Sequence, residues 1–319
     1  MRPPLTDELP VSHCLAEIVE AVRRSAPVVL KAPPGAGKTT GVPPALLAAG
    51  IADDGQILLV QPRRMAARSA ANRLAHLTGT DLGGEVGYHV RFDRRASAGT
   101  KLLVMTTGLL LRRLQSDPLL EGVSGVLLDE FHERSLEMDL ALGMMQRIRS
   151  TLRPELKLMV MSATLDPLPI RQFLGADAVA IASEGRSFPV QVRYGQRTRH
   201  ERVEDAIGDV LPEMMRETSG HILVFLPGVG EIHRTHQAIT RIGVGDATIL
   251  RLYGDLSPKD QDAVLKESGR RKIILSTNVA ETSVTIPGVT GVIDSGLVRM
   301  MRYDSAVGLP KLQLEPISQ

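Results

Sequence analysis

Residues 28–40 read Val-Val-Leu-Lys-Ala-Pro-Pro-Gly-Ala-Gly-Lys-Thr-Thr, and this stretch decides the fold. The apolar run Val28–Lys31 predicts a buried strand, and the pattern that begins at Thr40 predicts a helix up to Ala49. A strand, a glycine-rich turn and a helix in this order are typical of a loop that binds phosphate. Glycines let backbone N–H groups close around phosphate oxygens, and the helix N-terminus adds positive potential. The stretch therefore predicts a phosphate site on an α/β fold.

The loop supplies a compact set of candidate binding residues. Lys38 is predicted to reach the terminal phosphates, and the Thr39 hydroxyl suits Mg²⁺. The first position of the usual G-x-x-x-x-G-K-[ST] pattern is Ala32, not glycine. The alternative is an ordinary glycine turn with a surface lysine. The predicted ATP-binding residues of the loop are Pro34, Gly35, Ala36, Gly37, Lys38, Thr39 and Thr40.

The alternation of short apolar runs and helical patterns continues along the whole chain. It predicts a first α/β domain over residues 1–185 and a second over 186–319, joined by a crossing segment from Gly185 to Arg199. Within the crossing segment, Val190–Tyr194 is predicted to be a connecting strand. The other predicted strands are Ile57–Val60, Leu102–Met105, Val126–Leu128, Leu158–Met161, Val179–Ile181, Ile222–Leu226, Ile249–Leu252, Ile273–Leu275 and Val292–Ile293.

Bulk composition excludes several classes of protein. With 319 residues, 43% apolar and 23% charged, the chain is of a size and balance typical of a two-domain globular protein. A single cysteine, Cys14, excludes an intramolecular disulfide and a multi-cysteine zinc site. No apolar run is long enough to cross a bilayer, so we expect a cytoplasmic protein with no membrane partner. Aromatic residues make up only 3%, which predicts that any bound nucleic acid is held mainly through its backbone.

A second motif, made of charged residues, follows the strand Val126–Leu128. Charge at the carboxyl end of a strand points into the crevice where α/β sheets bind ligands. Asp129 is predicted to hold Mg²⁺, and Glu130 to orient or deprotonate the water that attacks the γ-phosphate. The alternative is a solvated helix N-terminus, which also favours acids.

Together the motifs resemble a known family. Asp129-Glu130-Phe131-His132, with the phosphate loop before it and Ser162-Ala163-Thr164 after it, resembles the superfamily 2 DExH/DEAH-box helicases. The resemblance covers nearly the whole chain, with seven motifs in order. The phosphate loop that begins with Ala32, together with Asp-Glu-Phe-His, is most similar to the bacterial HrpB-type subgroup. The remaining motifs are Gln61–Ala67, Thr106–Gly108, Phe225–Gly228 and Ser276–Ser283.

The resemblance implies roles for particular residues. It implies a catalytic set of Lys38, Asp129, Glu130 and His132, and contacts from Ser162 and Thr164 that couple the nucleotide to the nucleic-acid surface. It implies that Arg73 stacks on adenine, although no aromatic residue between Thr198 and Arg202 supplies the opposite face. Contacts with a sugar-phosphate backbone are implied for Arg63, Arg64, Thr107, Thr277 and Asn278. Paired arginines are also common as solvated groups, and a threonine after a strand also caps helices.

As a whole, the resemblance implies two RecA-like parallel-sheet lobes that hold ATP and Mg²⁺ between them and act on single-stranded or partly duplex RNA. The family's last motif, Gln-x-x-Gly-Arg-x-Gly-Arg, does not occur in the sequence. We therefore expect a second lobe truncated before that motif, and strongly impaired hydrolysis, since that motif supplies arginine fingers.

Three alternatives stay open at this point. A DNA helicase or translocase uses the same pair of nucleotide-binding lobes, and no residue in this sequence by itself indicates recognition of a ribose 2′-hydroxyl. A nucleotide-dependent RNA-binding fragment without turnover fits the missing arginine motif. A small-molecule P-loop kinase fits the phosphate loop but leaves the motifs of the second lobe unexplained.

Overall fold

The computed structural model describes residues 9–185, 189–195, 201–281, 286–305 and 307–317. Its chain divides into two compact units, Met1–Pro189 and Val190–Gln319. Each unit is built on its own sheet.

The first unit contains an eight-stranded sheet. Strand order is β4-β3-β5-β2-β6-β7-β1-β8, and every pair is parallel except the β3–β4 hairpin. The central strands are almost fully buried, as expected where helices cover both faces of a parallel sheet. The strands are β1 (Val28–Lys31), β2 (Gln56–Gln61), β3 (Val86–Val90), β4 (Asp93–Arg95), β5 (Leu102–Thr106), β6 (Val123–Leu128), β7 (Lys157–Ser162) and β8 (Val179–Ala182).

Among the described residues of this unit, six α-helices cover the sheet, and each face of the sheet has its own apolar core. One core contains Ile18, Val42 and Leu74, and the other contains Leu110 and Met145. Because the strands are parallel, their carboxyl ends meet at one edge, and the loops that leave this edge can form a site. The helices are α1 (Leu15–Arg23), α2 (Lys38–Ala48), α3 (Arg64–Thr78), α4 (Thr107–Ser116), α5 (Leu136–Thr151) and α6 (Pro167–Leu174).

The second unit contains a parallel four-stranded sheet in the order β10-β11-β9-β12. Its core includes Ile207, Val224, Ile239 and Leu275. An antiparallel hairpin of β13 and β14 follows the sheet. The elements are α7 (Val203–Glu217), β9 (His221–Phe225), α8 (Val229–Ile242), β10 (Thr248–Leu252), α9 (Pro258–Leu265), β11 (Lys272–Ser276), β12 (Val289–Asp294), β13 (Leu297–Asp304) and β14 (Leu309–Pro316).

The predicted α/β class with two parallel-sheet lobes is confirmed, and every predicted core strand lies within two or three residues of its observed bounds. The predicted connecting strand at Val190–Tyr194 is wrong. Its alternating apolar residues are exposed, and no strand among the described residues pairs with them, so the apolar pattern has nothing to pack against. Among the described residues, no helix combines the length and the apolar character needed to span a bilayer.

Candidate nucleotide site

The phosphate loop runs from the end of β1 to the start of α2 and is held in an unusual backbone conformation. Gly35 and Gly37 have φ values of 76° and 90°, which side-chain-bearing residues rarely adopt. The segment before α1 braces the loop, because the Val11 N–H donates to the Ala36 carbonyl at 2.9 Å. A Cβ on Gly37 would lie 2.8 Å from the Leu9 side chain, so this position has no room for one. Gly37 is therefore favoured by both conformation and packing, and Gly35 by its conformation alone.

Lys38 is the first residue of α2 and is only 5% exposed. Its ammonium donates to the Ala32 carbonyl at 2.6 Å and to the Pro33 carbonyl at 3.2 Å. Burial lowers the pKa of Lys38, while the nearby carboxylates of Asp129 and Glu130 act in the opposite direction. The ammonium is thus held over its own loop, and phosphate oxygens would replace these two carbonyls as its acceptors.

Asp129 follows β6 at the carboxyl edge of the sheet and is fully buried. Its Oδ2 accepts hydrogen bonds from the Thr39 hydroxyl at 2.6 Å and from the Gln61 amide at 2.7 Å, and its Oδ1 accepts from the Glu130 N–H at 2.8 Å. Burial raises the pKa of Asp129, and these donors together with Lys38 oppose the rise. The structure therefore brings the predicted metal residues, Thr39 and Asp129, into direct contact.

This donor set fits Mg²⁺. A hydroxyl and one carboxylate are hard oxygen ligands, and Mg²⁺ usually takes one or two carboxylates and completes its shell with water and substrate phosphates. No cluster of three or more His, Cys, Asp or Glu side chains able to hold a metal ion by themselves is found in the described part of the chain. With one hydroxyl and one carboxylate, the Thr39–Asp129 pair suits a cation that arrives with a nucleotide.

Glu130 has a strained backbone and a shifted acidity. Its φ of 53° is rare for a residue with a side chain, and such strain is found most often at functional sites. Burial, followed by repulsion from Asp129, raises the pKa of Glu130 to about 8, although Lys38 opposes the rise. A carboxyl group with a pKa near neutrality is suited to proton transfer.

The raised pKa predicts a pH-dependent stability. The folded chain retains a proton on Glu130 that the unfolded chain loses above pH 4.5, so this group's contribution to the free energy of unfolding falls as pH rises from about 4.5 to about 8. Glu130→Gln removes this loss and is expected to be more stable than the unaltered chain by about 2 to 5 kcal/mol at pH 9, with only a small difference at pH 5. Thermal unfolding of both chains at the two pH values measures this difference in stability. A difference that does not change with pH would contradict the raised pKa.

His132 connects the acidic motif to the loop after β7. Its Nδ1 accepts a hydrogen bond from the Ala163 N–H at 3.2 Å, and its Nε2 lies 3.5 Å from the Glu130 carboxylate. Burial lowers the pKa of His132, so the ring is neutral with its proton on Nε2, facing Glu130. Ser162 is buried and its hydroxyl accepts from the Leu165 N–H at 3.2 Å. Thr164 is exposed beyond it.

The predicted nucleic-acid residues of the first unit lie at the same edge of the sheet. Arg63 precedes α3 and pairs with Glu133 at 3.1 Å, and Arg64 is exposed at the first position of that helix. Thr107 is only 2% exposed and its hydroxyl faces the Gln61 carbonyl at 3.4 Å, whereas the preceding residue, Thr106, is partly exposed. The arginines are thus better placed for a backbone contact than the Thr107 side chain.

The other predicted site residues lie on α3 and in the second unit. Arg73 is exposed in the middle of α3. Thr277 follows β11 in the second unit, where its N–H donates to the Leu252 carbonyl at 3.1 Å, and Asn278 beside it is exposed. Two residues of the predicted motif, Thr282 and Ser283, lie outside the described residues.

Sequence reasoning missed a basic turn at the same edge. Arg91 and Phe92 form the turn between β3 and β4, where Phe92 is 89% exposed at a φ of 67° and its ring centroid is 4.7 Å from the Arg91 guanidinium. His89 of β3 pairs in register with Met105 of β5, so the turn lies beside Thr106. The run Arg-Phe-Asp-Arg-Arg at residues 91–95 was the signal that could have found it.

Two parallel-sheet units and a glycine-rich phosphate loop facing an Asp-Glu pair define the chain as a P-loop nucleotide-binding protein with RecA-like lobes. Residues 14–173 match the family model for the DEAD/DEAH box helicases, and residues 201–305 match the helicase conserved C-terminal domain. The chain belongs to the DEAD/DEAH box helicase family.

Similar proteins include two from Escherichia coli K12. The chain is 46% identical over 315 residues to the ATP-dependent RNA helicase HrpB and 40% identical over 327 residues to the ATP-dependent RNA helicase HrpA. These matches cover 98% and 100% of this chain, but 38% and 25% of the relatives. The crystal structure of the E. coli DEAH/RHA helicase HrpB matches with a TM-score of 0.89 and 44% identity, over 98% of this chain and 40% of that one.

Proposed function

We propose that this chain carries the ATP-dependent motor of an RNA helicase, which binds and hydrolyses ATP and uses the cycle to move along an RNA strand. The observation that carries the proposal is the direct contact between Thr39 of the phosphate loop and Asp129 of the acidic motif, with Lys38 and Glu130 beside it. Sequence motifs 90 residues apart thus form one site at the carboxyl edge of the sheet.

The chemistry proposed for the site follows from these contacts. Lys38 and the backbone N–H groups of the loop bind the β- and γ-phosphates of ATP. Thr39 and Asp129 hold Mg²⁺, which, when bound, neutralises charge on the phosphates. Glu130 orients the attacking water and accepts its proton, because its raised pKa makes it a stronger base than an exposed glutamate. His132, through its contacts with Glu130 and Ala163, keeps that carboxylate aligned with the loop after β7.

Binding of RNA is proposed for the basic edge formed by Arg63, Arg64 and the turn at Arg91–Phe92. Arginine binds phosphate oxygens through several N–H groups, and an exposed aromatic ring offers a surface for base stacking. Thr277 and Asn278 are proposed to contact the strand from the second unit. RNA is preferred over DNA because the similar HrpB and HrpA proteins are described as ATP-dependent RNA helicases.

Movement along RNA would follow if the chain binds RNA with different affinity before and after ATP hydrolysis. A ligand shifts an equilibrium between two states only by its differential affinity for them. In the first unit, Arg63 pairs with Glu133, three residues after Glu130. This ion pair therefore connects the acidic motif directly to an arginine that is proposed to bind the RNA strand, so a structural change at the motif can alter that contact.

The test measures RNA binding and phosphate release together. We expect a labelled single-stranded RNA to bind the chain with an affinity that changes when Mg²⁺ and a non-hydrolysable ATP analogue are added. We also expect RNA to stimulate phosphate release from ATP above a basal rate that is slow, in keeping with the impaired hydrolysis that the sequence predicts. Arg64→Ala is expected to weaken RNA binding about fivefold and to reduce the salt dependence of binding by about one phosphate contact.

Arg147→Ala is the matched control, since Arg147 is exposed near the end of α5, toward the amino edge of the sheet. Failure to bind RNA would refute the proposal. Equal competition by DNA of the same sequence would instead favour a DNA helicase or translocase. RNA affinity that depends on nucleotide, without phosphate release, would favour an RNA-binding module without turnover.

A further inference from the structure

Gln61 occupies a position between the two halves of the proposed site. It is the last residue of β2, is only 2% exposed, and lies between the ends of β5 and β6. Its amide nitrogen donates to Oδ2 of Asp129 at 2.7 Å, and its backbone carbonyl faces the Thr107 hydroxyl at 3.4 Å. The chain then turns through Pro62 into Arg63. The Gln61 side chain thus joins the proposed metal carboxylate to the end of β2, which leads into Arg63 and Arg64.

The contact fixes the orientation of the Gln61 amide. Oδ2 of Asp129 also accepts from the Thr39 hydroxyl at 2.6 Å, and an ionised carboxylate has only acceptors. The NH₂ end of the amide must therefore face Asp129. Its carbonyl oxygen, Oε1, then points away from the carboxylate.

This amide oxygen is buried and accepts no hydrogen bond from the residues that the structure describes. A buried acceptor without a donor costs free energy, so each such atom in a native structure calls for an explanation. The partner suited to this place is a donor that enters with the ligand. A cation bound at Thr39 and Asp129 retains several water molecules, and such waters are strong donors to nearby oxygens.

We propose that Gln61 is a positioning residue for the divalent cation: its amide nitrogen holds the Asp129 carboxylate, and its amide oxygen accepts a hydrogen bond from a water molecule bound to that cation. This inference rests on the proposed ATP-dependent function. It gives Gln61 a role in cation binding, whereas the sequence motif groups it with residues that contact nucleic acid.

The test measures how nucleotide binding depends on the concentration of divalent cation. Gln61→Met keeps the length of the side chain but removes both polar ends. We expect it to need about tenfold more Mg²⁺ for half-maximal binding of ADP or of a non-hydrolysable ATP analogue, because partners of metal ligands contribute about that much to metal affinity. Binding of the same nucleotide in excess EDTA is expected to be unchanged. Mn²⁺ binding, followed by electron paramagnetic resonance, gives a second and direct readout.

Gln56 provides a matched control within the same strand. It is the first residue of β2, and its amide donates to the Thr100 carbonyl at 2.7 Å, at the opposite edge of the sheet. Gln56→Met is expected to leave the Mg²⁺ requirement unchanged. Gln61→Glu is the second variant, for the case in which Gln61→Met does not fold. It keeps the shape and an acceptor oxygen but loses the donor to Asp129, and it is also expected to raise the Mg²⁺ requirement.

The outcomes separate this inference from the function on which it rests. If either folded Gln61 variant binds nucleotide with an unchanged Mg²⁺ requirement, the inference is wrong and the proposed function stands. An equal shift in the Gln56 variant would also overturn it, because the effect would then come from β2 as a whole. If the unaltered chain binds no nucleotide at any Mg²⁺ concentration, both the proposed function and this inference fail.

Discussion

Replacing Lys38 with alanine is expected to weaken ATP binding by about 10- to 100-fold and to abolish any phosphate release. The positive charge of the Lys38 ammonium acts on both Asp129 and Glu130, and the ammonium lies on the phosphate loop itself. A hydrogen bond to a charged group contributes about 1.5 to 3 kcal/mol, which corresponds to this range of affinity. Isothermal titration calorimetry with a non-hydrolysable ATP analogue and Mg²⁺ measures the loss.

Lys157→Ala is the matched control for this substitution. The Lys157 ammonium also donates to a backbone carbonyl, that of Glu155 at 2.9 Å, but at the start of β7, on the opposite edge of the sheet. It is expected to bind the analogue as tightly as the unaltered chain does. If Lys38→Ala also retains full affinity, the phosphate loop does not hold the nucleotide in the proposed way.

Replacing Glu130 with glutamine is expected to reduce phosphate release about 10²- to 10⁴-fold while ATP binding is retained. The substitution preserves the size of the side chain but removes its capacity to accept a proton from water, and general-base catalysis typically contributes this factor. Binding should persist, because glutamine keeps the size of the side chain and places no negative charge beside the position proposed for the γ-phosphate. Single-turnover hydrolysis and analogue binding, measured side by side, separate the two effects.

Glu155→Gln serves as the control for Glu130→Gln. Glu155 is exposed and pairs with Arg153 at 2.7 Å, far along the chain from the acidic motif. Its replacement should change neither binding nor turnover. Should Glu130→Gln hydrolyse ATP within about threefold of the unaltered rate, a group other than Glu130 must activate the water.

Local chemistry explains why most of the fold could be read from the sequence. Buried parallel strands are continuous apolar runs, and β1 was located at its observed bounds from Val28–Lys31 alone. The β3–β4 and β13–β14 hairpins were missed because they carry no such buried apolar run. About half of the residues in the β3–β4 hairpin are polar. In β13 and β14, apolar residues such as Met301 and Leu312 are exposed, so the apolar pattern of these strands does not indicate a buried core.

The candidate site divides in the same way. The sequence by itself determined the positions of the phosphate loop and the acidic motif. A glycine-rich turn before a helix and a run of charged residues after a strand are local patterns with a direct physical meaning. Only the tertiary structure decided which of their atoms meet. It placed the Thr39 hydroxyl in contact with Asp129 and the Lys38 ammonium in contact with the Ala32 carbonyl of its own loop. It also placed the Gln61 amide against the Asp129 carboxylate. Burial then raised the pKa of Glu130, and burial depends on packing between segments far apart in the chain, which no local pattern records.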